Sequence, residues 1–397
     1  MSQRMQKESH LAYLDGIRGG AALWVMLAHC MIWGGWRWYV PDPKIAVDIF
    51  MVMSGFLMNY HYILRTKNNG PWDTQLALSF YLRRFFRIAP CYYLALLVAF
   101  YILGENRIES VNILREANPA RWTNDIIYDP KCWDLSISNL IRHLTFIFGL
   151  YPRYTQSLGL PDWSISLEMQ FYLLFPFMFF FLRRNYAAVI ITVTVLSLAV
   201  NSLFGKLPGP YPGTSGLFPE PSFFFSKSTL FLVGIMLCDS IYRDDLRPGV
   251  RPIVGSAAIA IAGIGLRDNR LELIVVLLAL WVIIVNSELR STSLSMFSKV
   301  LLGNRLTKFL ADTSYAVYLF HGFAISELGA RLFMSRWFTN CSSLLQVLVL
   351  SLGVTFLTYP IAYLIHRTVE VPFISFGKRL SKISIPIKAT DLSSTAK

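Results

Sequence analysis

The sequence predicts an all-α integral membrane protein of about ten transmembrane helices with both termini in the cytoplasm, and three observations predict it. Of 397 residues, 54% are hydrophobic and only 15% charged, against roughly a quarter charged in globular domains. Apolar windows of about twenty residues, enough to cross a bilayer as helix, recur along the chain. The cations that give a formal net charge of +13 lie mostly in short stretches between those windows. Such placement reflects orientation by the positive-inside rule, so the charge implies no nucleic-acid partner.

Taken in order, the windows predict helices over residues 13 to 33, 45 to 64, 86 to 104, 164 to 182, 186 to 204, 223 to 242, 252 to 267, 271 to 288, 312 to 334 and 344 to 366. The first carries two ionisable side chains, Arg18 and His29, inside an otherwise apolar run. Asp48 stands near the start of the second, followed by Ser54-Gly55-Phe56. Arg83, Arg84 and Arg87 precede the third, and the fourth opens with Trp163, Ser164, Ser166 and Glu168. Arg267, Asp268, Asn269 and Arg270 separate the seventh and eighth so closely that a helical hairpin is needed. His321 falls inside the ninth. The apolar run from Leu144 to Leu150 is too short to span and reads as re-entrant or interfacial.

With the N-terminus inside, Arg65, Arg83, Arg84, Arg87, Arg183, Arg184, Arg243 and the basic tail all fall on the cytoplasmic side. The long loop from Glu105 to Asp162 is then outside, where loop length makes its charge uninformative. No cleavable signal segment precedes the first span, which is expected to direct insertion itself. No internal repeat or Pro/Ser-rich linker divides the chain. The expected organisation is a cytoplasmic segment over 1–12, one membrane domain over 13–380 and a basic, polar tail over 381–397. The location is the cell membrane, multi-pass, and the inner membrane if the source is a Gram-negative bacterium. Cys132 and Cys341 lie in predicted outside loops, so a disulfide between them is open, and neither CxxC nor HExxH spacing occurs to suggest a metal.

The chemistry gathers around the first helix. Eleven steps at about 100° put Arg18 and His29 on one face, roughly 16 Å apart along the axis. Ionisable groups within a membrane are costly and usually serve a cavity or a partner. His29, Asp48 and Glu168 fall at comparable depth, and a carboxylate beside an imidazole would fix its tautomer and raise its basicity, as a general base requires. The alternative is that either carboxylate pairs with Arg37, Lys44 or another interfacial cation to set helix packing. Ser164 and Glu168 are four residues apart and share a face. Arg87 shares a face with Arg83 and Arg84, and guanidinium forks suit phosphate oxygens, although lipid headgroups and topology also account for such cations. His321 is either a cavity group or a packing histidine, while His10, His61, His143 and His366 lie near interfaces where no function need be invoked. Outer-loop aromatics, among them Trp133, Tyr151 and Tyr154, could stack on sugar rings or form an interfacial belt.

These residues fall into a pattern. Tyr13-Leu14-Asp15-Gly16-Ile17-Arg18, continuing to His29, resembles the opening signature of the membrane acyltransferase-3 family of the O-antigen acetylase type. Val47 to Phe56, Arg84-Phe85-Phe86-Arg87 with Pro90, Trp163 to Glu168 with Tyr172 and Pro176, and Tyr315 to His321 with Glu370-Val371-Pro372 resemble its later motifs in the same order. The resemblance covers residues 11 to 380. Gly20 replaces a common alanine-type residue, and Phe320-His321-Gly322 lacks a frequent Trp.

The resemblance implies acyl transfer, usually from cytoplasmic acetyl-coenzyme A as co-substrate, to a carbohydrate or glycolipid hydroxyl at the bilayer. No other cofactor is implied. It makes His29 the catalytic base, Arg18, Arg84 and Arg87 donor-site or structural cations, and Ser164 and Glu168 active-site groups. Asp48 or Glu168 is expected to stabilise the imidazolium, and His321 is grouped with the substrate-binding residues. Intramembrane His, Asp, Glu and Arg would also suit a proton-coupled secondary transporter, but the repeated halves usual in that class are not visible.

Overall fold

A computed structural model describes residues 12–34, 42–66, 74–117, 129–211, 214–243, 246–247, 249–265 and 302–383, together with 274–275, 277–278, 281 and 300. Among the described residues there is no strand, only an isolated bridge between Pro208 and Ser215. The helices are α1 (Ala12–Gly34), α2 (Pro43–Thr66), α3 (Thr74–Leu97), α4 (Gly104–Ala117), α5 (Ile137–Leu144), α6 (Trp163–Arg184), α7 (Tyr186–Phe204), α8 (Phe224–Tyr242), α9 (Arg251–Gly265), α10 (Arg305–Phe333), α11 (Arg336–Thr339), α12 (Ser343–Ile365) and α13 (Val371–Ile383). A π-helical turn, Val98–Ile102, prolongs α3, and another, His366–Glu370, joins α12 to α13.

Among the described residues, seven helical segments are long and apolar enough to cross a membrane. They comprise α1, α2, α3 with its π-turn, α6, α7, α8, and the continuous stretch Ser343–Lys382. Three of the ten expected spans fall outside this set. The span expected over 252–267 is the fifteen-residue α9, about 22 Å long at 1.5 Å per residue and therefore short for a crossing. The one over 271–288 lies largely outside the described residues. The span expected over 312–334 is α10, whose twenty-nine residues suffice in length but include Asp312, Glu327, Arg331 and several hydroxyls.

That polar content fits the position of α10. It packs along the length of α1 and also against α12 and α4, so its middle faces protein, and Thr313 to Ser326 is buried almost throughout. In contrast, α7 exposes Ile191, Val195, Leu198 and Leu203 and is apolar all round. The sharpest helix contact lies between α2 and α8. A Cβ on Gly55 would collide with the Phe231 carbonyl, and one on Gly234 would collide with the Val52 carbonyl. Where lipid offers no hydrophobic gain on association, such small residues let backbones approach and gain dispersion contact. This crossing carries Asp48 and Ser54 into the bundle.

Helix α3 begins twelve residues before the expected third span. Leu76, Ala77 and Phe80 supply a buried stripe at helical spacing, so the helix starts at Thr74. Arg83, Arg84 and Arg87 therefore project from a helix, not from a loop ahead of it. The Leu144–Leu150 run folds as the end of α5 and a short 3-10 turn over Ile147–Leu150, which does not cross. Cys132 and Cys341 are free thiols, so the open disulfide is absent.

Candidate active site

One cavity of about 970 Å³, its open mouth included, lies between α1, α2, α3, α6, α10 and the start of α13. Arg18, Arg84, Arg87, Ser164 and Glu168, five of the eight residues singled out in the sequence, line it. Its polar walls also include Ser54, Tyr172, Ser314, Tyr315, Tyr318 and Glu370, and its apolar walls include Phe50, Met51, Met53, Met58 and Phe231. The chamber is thus cationic at the end where α1 begins and apolar along its flank.

Arg18 pairs with Asp15 at 2.6 Å, one turn earlier, while its buried Nε has no hydrogen-bond partner. Arg84 lays its guanidinium 5.8 Å from the Phe80 ring centre and 5.7 Å from that of Tyr172. Three guanidinium groups therefore face one space whose wall holds two carboxylates: Glu370, bonded to His366, and Glu168. Glu168 Oε1 accepts hydrogen bonds from Ser54 Oγ at 2.8 Å and from the Tyr172 hydroxyl. Tyr315 donates to the Ile88 carbonyl at 3.0 Å, which ties α10 to α3 beside the arginines.

The cavity ends at Ser164 and Tyr318. Tyr318 donates its hydroxyl proton to the Pro161 carbonyl at 2.7 Å, and Ser164 Oγ lies 2.7 Å from the same hydroxyl oxygen. One turn farther along α10 stands His321, its ring centre 6.3 Å from that of Tyr318. His321 Nε2 lies 2.7 Å from His29 Nδ1, and the two rings are nearly parallel at 5°. Neither histidine is part of the cavity wall.

His321 Nδ1 lies 2.9 Å from the Val317 carbonyl, which can only accept, so this nitrogen carries a proton. In neutral His321 the Nε2 is then the acceptor, and His29 must donate from Nδ1. Neutral His29 therefore keeps its lone pair on Nε2. Among the described residues that nitrogen makes no hydrogen bond, and it is the atom a general base would use.

This arrangement corrects two expectations. Neither carboxylate reaches His29. Asp48 receives both its oxygens' hydrogen bonds from Lys227 Nζ, at 2.9 and 3.0 Å, because the α2–α8 crossing sets the two opposite each other. Lys227 belongs to the first turn of α8, so the alternative of an interfacial ion pair is the one realised for Asp48. Glu168 is turned toward Ser54 and Tyr172. The partner of His29 is instead His321, expected among the substrate-binding residues, which sits behind the imidazole.

Two further groups near this end had no assigned role in the sequence reading. Arg107 of α4 is fully buried, donates to the Leu158 and Gly159 carbonyls at 2.8 and 2.7 Å, and is sandwiched between Trp133 and Phe323. Burial pulls its guanidinium down to about 10, so it remains a cation at neutral pH. It fastens the turn that supplies Pro161. His143, placed near an interface in the sequence reading, is wholly buried: Nδ1 meets Asp162 Oδ2 at 3.1 Å and Nε2 meets Ser157 Oγ at 3.1 Å. Tyr92 reaches both His143 and Asp162. The spacing gives Ser157, His143 and Asp162 the outline of a hydrolytic triad, but Ser157 is sealed, accepts from Asn139 and donates to the Tyr154 carbonyl. It is a structural knot beneath the start of α6. Glu370, present in a quoted motif but given no role, enters the cavity wall because the π-turn swings it inward; its Oε2 lies 3.0 Å from His366 Nδ1.

The acyltransferase-3 family model, described as an acyltransferase domain, matches residues 11–367. The chain belongs to this family. As a family member it is an acyltransferase and a multi-pass membrane protein. Among similar proteins, an acyltransferase, MdmB, of Streptomyces mycarofaciens is 25% identical over 378 residues, covering 88% of this chain and 85% of that one. A putative peptidoglycan O-acetyltransferase, YrhL, of Bacillus subtilis is 27% identical over 53% of this acyltransferase and 31% of its own length. The peptidoglycan O-acetyltransferase OatA of Listeria monocytogenes is 31% identical over 43% and 24% respectively. The acyltransferase thus aligns with less than a third of the length of these two peptidoglycan relatives. No solved structure matches it.

Proposed function

We propose that this acyltransferase moves an acetyl group from acetyl-coenzyme A to a carbohydrate hydroxyl, with His29 as general base. The observation that carries the reading is that one cavity runs from three guanidinium groups to Tyr318, one turn of α10 before His321, whose Nε2 meets His29 Nδ1 of α1. Two relatives named as peptidoglycan O-acetyltransferases, one of them putative, support acetyl as the group and a glycan as the acceptor.

The donor suits the chamber. Coenzyme A is polyanionic at its nucleotide end and carries its thioester on a thin arm. Arg18, Arg84 and Arg87 would take phosphate oxygens by charge-assisted hydrogen bonds. The arm would lie along Met51, Met53 and Phe50, where apolar walls leave its own amides to find Ser54 or Tyr315. For the thioester to reach His29, the Tyr318 ring must move aside from Pro161. The acceptor oxygen then attacks the thioester carbonyl carbon while His29 Nε2 takes its proton. The tetrahedral oxyanion collapses, the carbon–sulfur bond breaks, and the imidazolium returns the proton to the departing thiolate. The products are an ester and free coenzyme A. His321, accepting from His29 Nδ1, holds the tautomer throughout.

With both termini in the cytoplasm, as the cation distribution supports, Arg18 lies on the donor's side and His29 toward the outside of the cell membrane. The direct test uses the purified protein in liposomes with radiolabelled acetyl-coenzyme A and a panel of glycans. Label should pass to at least one glycan, and His29→Ala should lower the rate by about 10²- to 10⁴-fold while the protein stays inserted. Near-normal turnover by that variant would remove His29 from the mechanism.

A further inference from the structure

Helix α5 is turned the wrong way round for a helix in an aqueous loop. Its side facing the protein bears Asn139 and His143, both fully buried, whereas Ile137, Ile141 and Leu144 are 74, 54 and 39% exposed. With Ile137 set at about 0° and about 100° per residue, Ile141 and Leu144 fall at about 40° and 340°, Ser138 and Thr145 at about 100° and 80°, and Asn139 and His143 at about 200° and 240°. The helix thus has three arcs. One is polar and locked into the protein by Asn139 Nδ2 to Ser157 Oγ at 2.9 Å and by the His143–Asp162 pair. One is polar and open. The third is apolar and open.

The apolar arc continues into neighbouring surface. Tyr93 of α3 donates to the Leu144 carbonyl at 2.7 Å, joining the end of α5 to α3. From Tyr93, steps of four residues lead to Leu97 and Tyr101, which are both exposed on a segment apolar enough to span. Past α5, Ile147 and Leu150 extend the same exposed apolar surface.

We infer that α5 lies flat in the bilayer interface, with Ile137, Ile141 and Leu144 in the acyl region and Ser138 and Thr145 toward water. The occupant of this face is lipid. An apolar arc beside a polar edge is the pattern of an in-plane amphipathic helix, and its continuity with the lipid-facing stripe of α3 sets the depth. The inference rests on the membrane reading of the chain and is independent of the acyl-transfer mechanism.

Site-directed spin labelling in liposomes tests it. Single cysteines at Leu97, Ser138 and Ile141 would be made in a Cys132→Ser, Cys341→Ser background, since Cys30, Cys91 and Cys238 are buried. Labels on Leu97→Cys and Ile141→Cys should collide severalfold more with oxygen than with a nickel chelate, and the label on Ser138→Cys should show the reverse. If Ile141 is as open to nickel as Ser138 while Leu97 stays oxygen-dominated, α5 faces water and the inference is lost, with the membrane reading intact. Ile141 shielded from both reagents would mean a protein partner or second copy on this face and would equally overturn it. An aqueous signal at Leu97 would remove the membrane reading and the inference together. Leu144→Cys provides a second reporter should Ile141→Cys fail to insert.

Discussion

At the scale of single residues, the His29–His321 pair makes the most specific demand. His321→Gln retains an amide carbonyl that can accept from His29 Nδ1, whereas His321→Phe retains only the ring. Turnover should therefore fall much further in the phenylalanine variant, and the pH profile of kcat should shift there alone; equal losses would mean that His321 merely fills space. Arg84→Ala should raise the KM for acetyl-coenzyme A with little change in kcat, by roughly 10- to 100-fold for a charged hydrogen bond of about 1.5–3 kcal/mol. An unchanged KM would return that cation to helix orientation. Much of this site was legible in the sequence, because helical spacing puts Arg84 with Arg87 and Ser164 with Glu168 on shared faces, and those faces meet Arg18 at one cavity. The partner of His29 was not legible. It is 292 residues away, and no local spacing connects two histidines on helices α1 and α10. The carboxylates misled because depth along a helix says nothing about azimuth, and Lys227 and Ser54 hold the better azimuth for Asp48 and Glu168.

Among the helices, the α2–α8 crossing is the most exacting contact. Gly55→Leu would drive a side chain into the Phe231 backbone and must separate the two helices. The expected result is loss of the Asp48–Lys227 pair and a thermal midpoint in detergent lowered by several degrees, with Gly20→Ala as an unaffected control because that position has open space. Unchanged stability in Gly55→Leu would show that the crossing is looser than its geometry. Apolar windows located most helices within a few residues, since hydropathy measures what a lipid-facing helix must satisfy. They were least informative for α3, whose first turns are amphipathic, and for α10, whose surroundings are protein.

For the whole molecule, the proposed orientation rests on cations in the connecting segments and carries a prediction of its own. A reporter active only in the cytoplasm, fused after Lys397, should be active, and one inserted between Gly205 and Gly209 should be silent; the opposite pattern would invert the proposed sides of donor and acceptor. The overall class was readable from composition alone, whereas the number of long apolar helices among the described residues was not, because α10 is packed within protein and carries polar groups and α9 is short.

The short contact among Ser164, Tyr318 and Pro161 has a consequence for the cell as well as for the substrate. A membrane that stores energy as a proton gradient is a capacitor, and an unbroken wet passage from arginines on one side to an imidazole on the other would discharge it. In the proposed reaction a phenol ring held by Pro161 and Ser164 would close that passage until a thioester displaced it, so that each acyl group transferred would cost one donor and not also a share of the membrane potential.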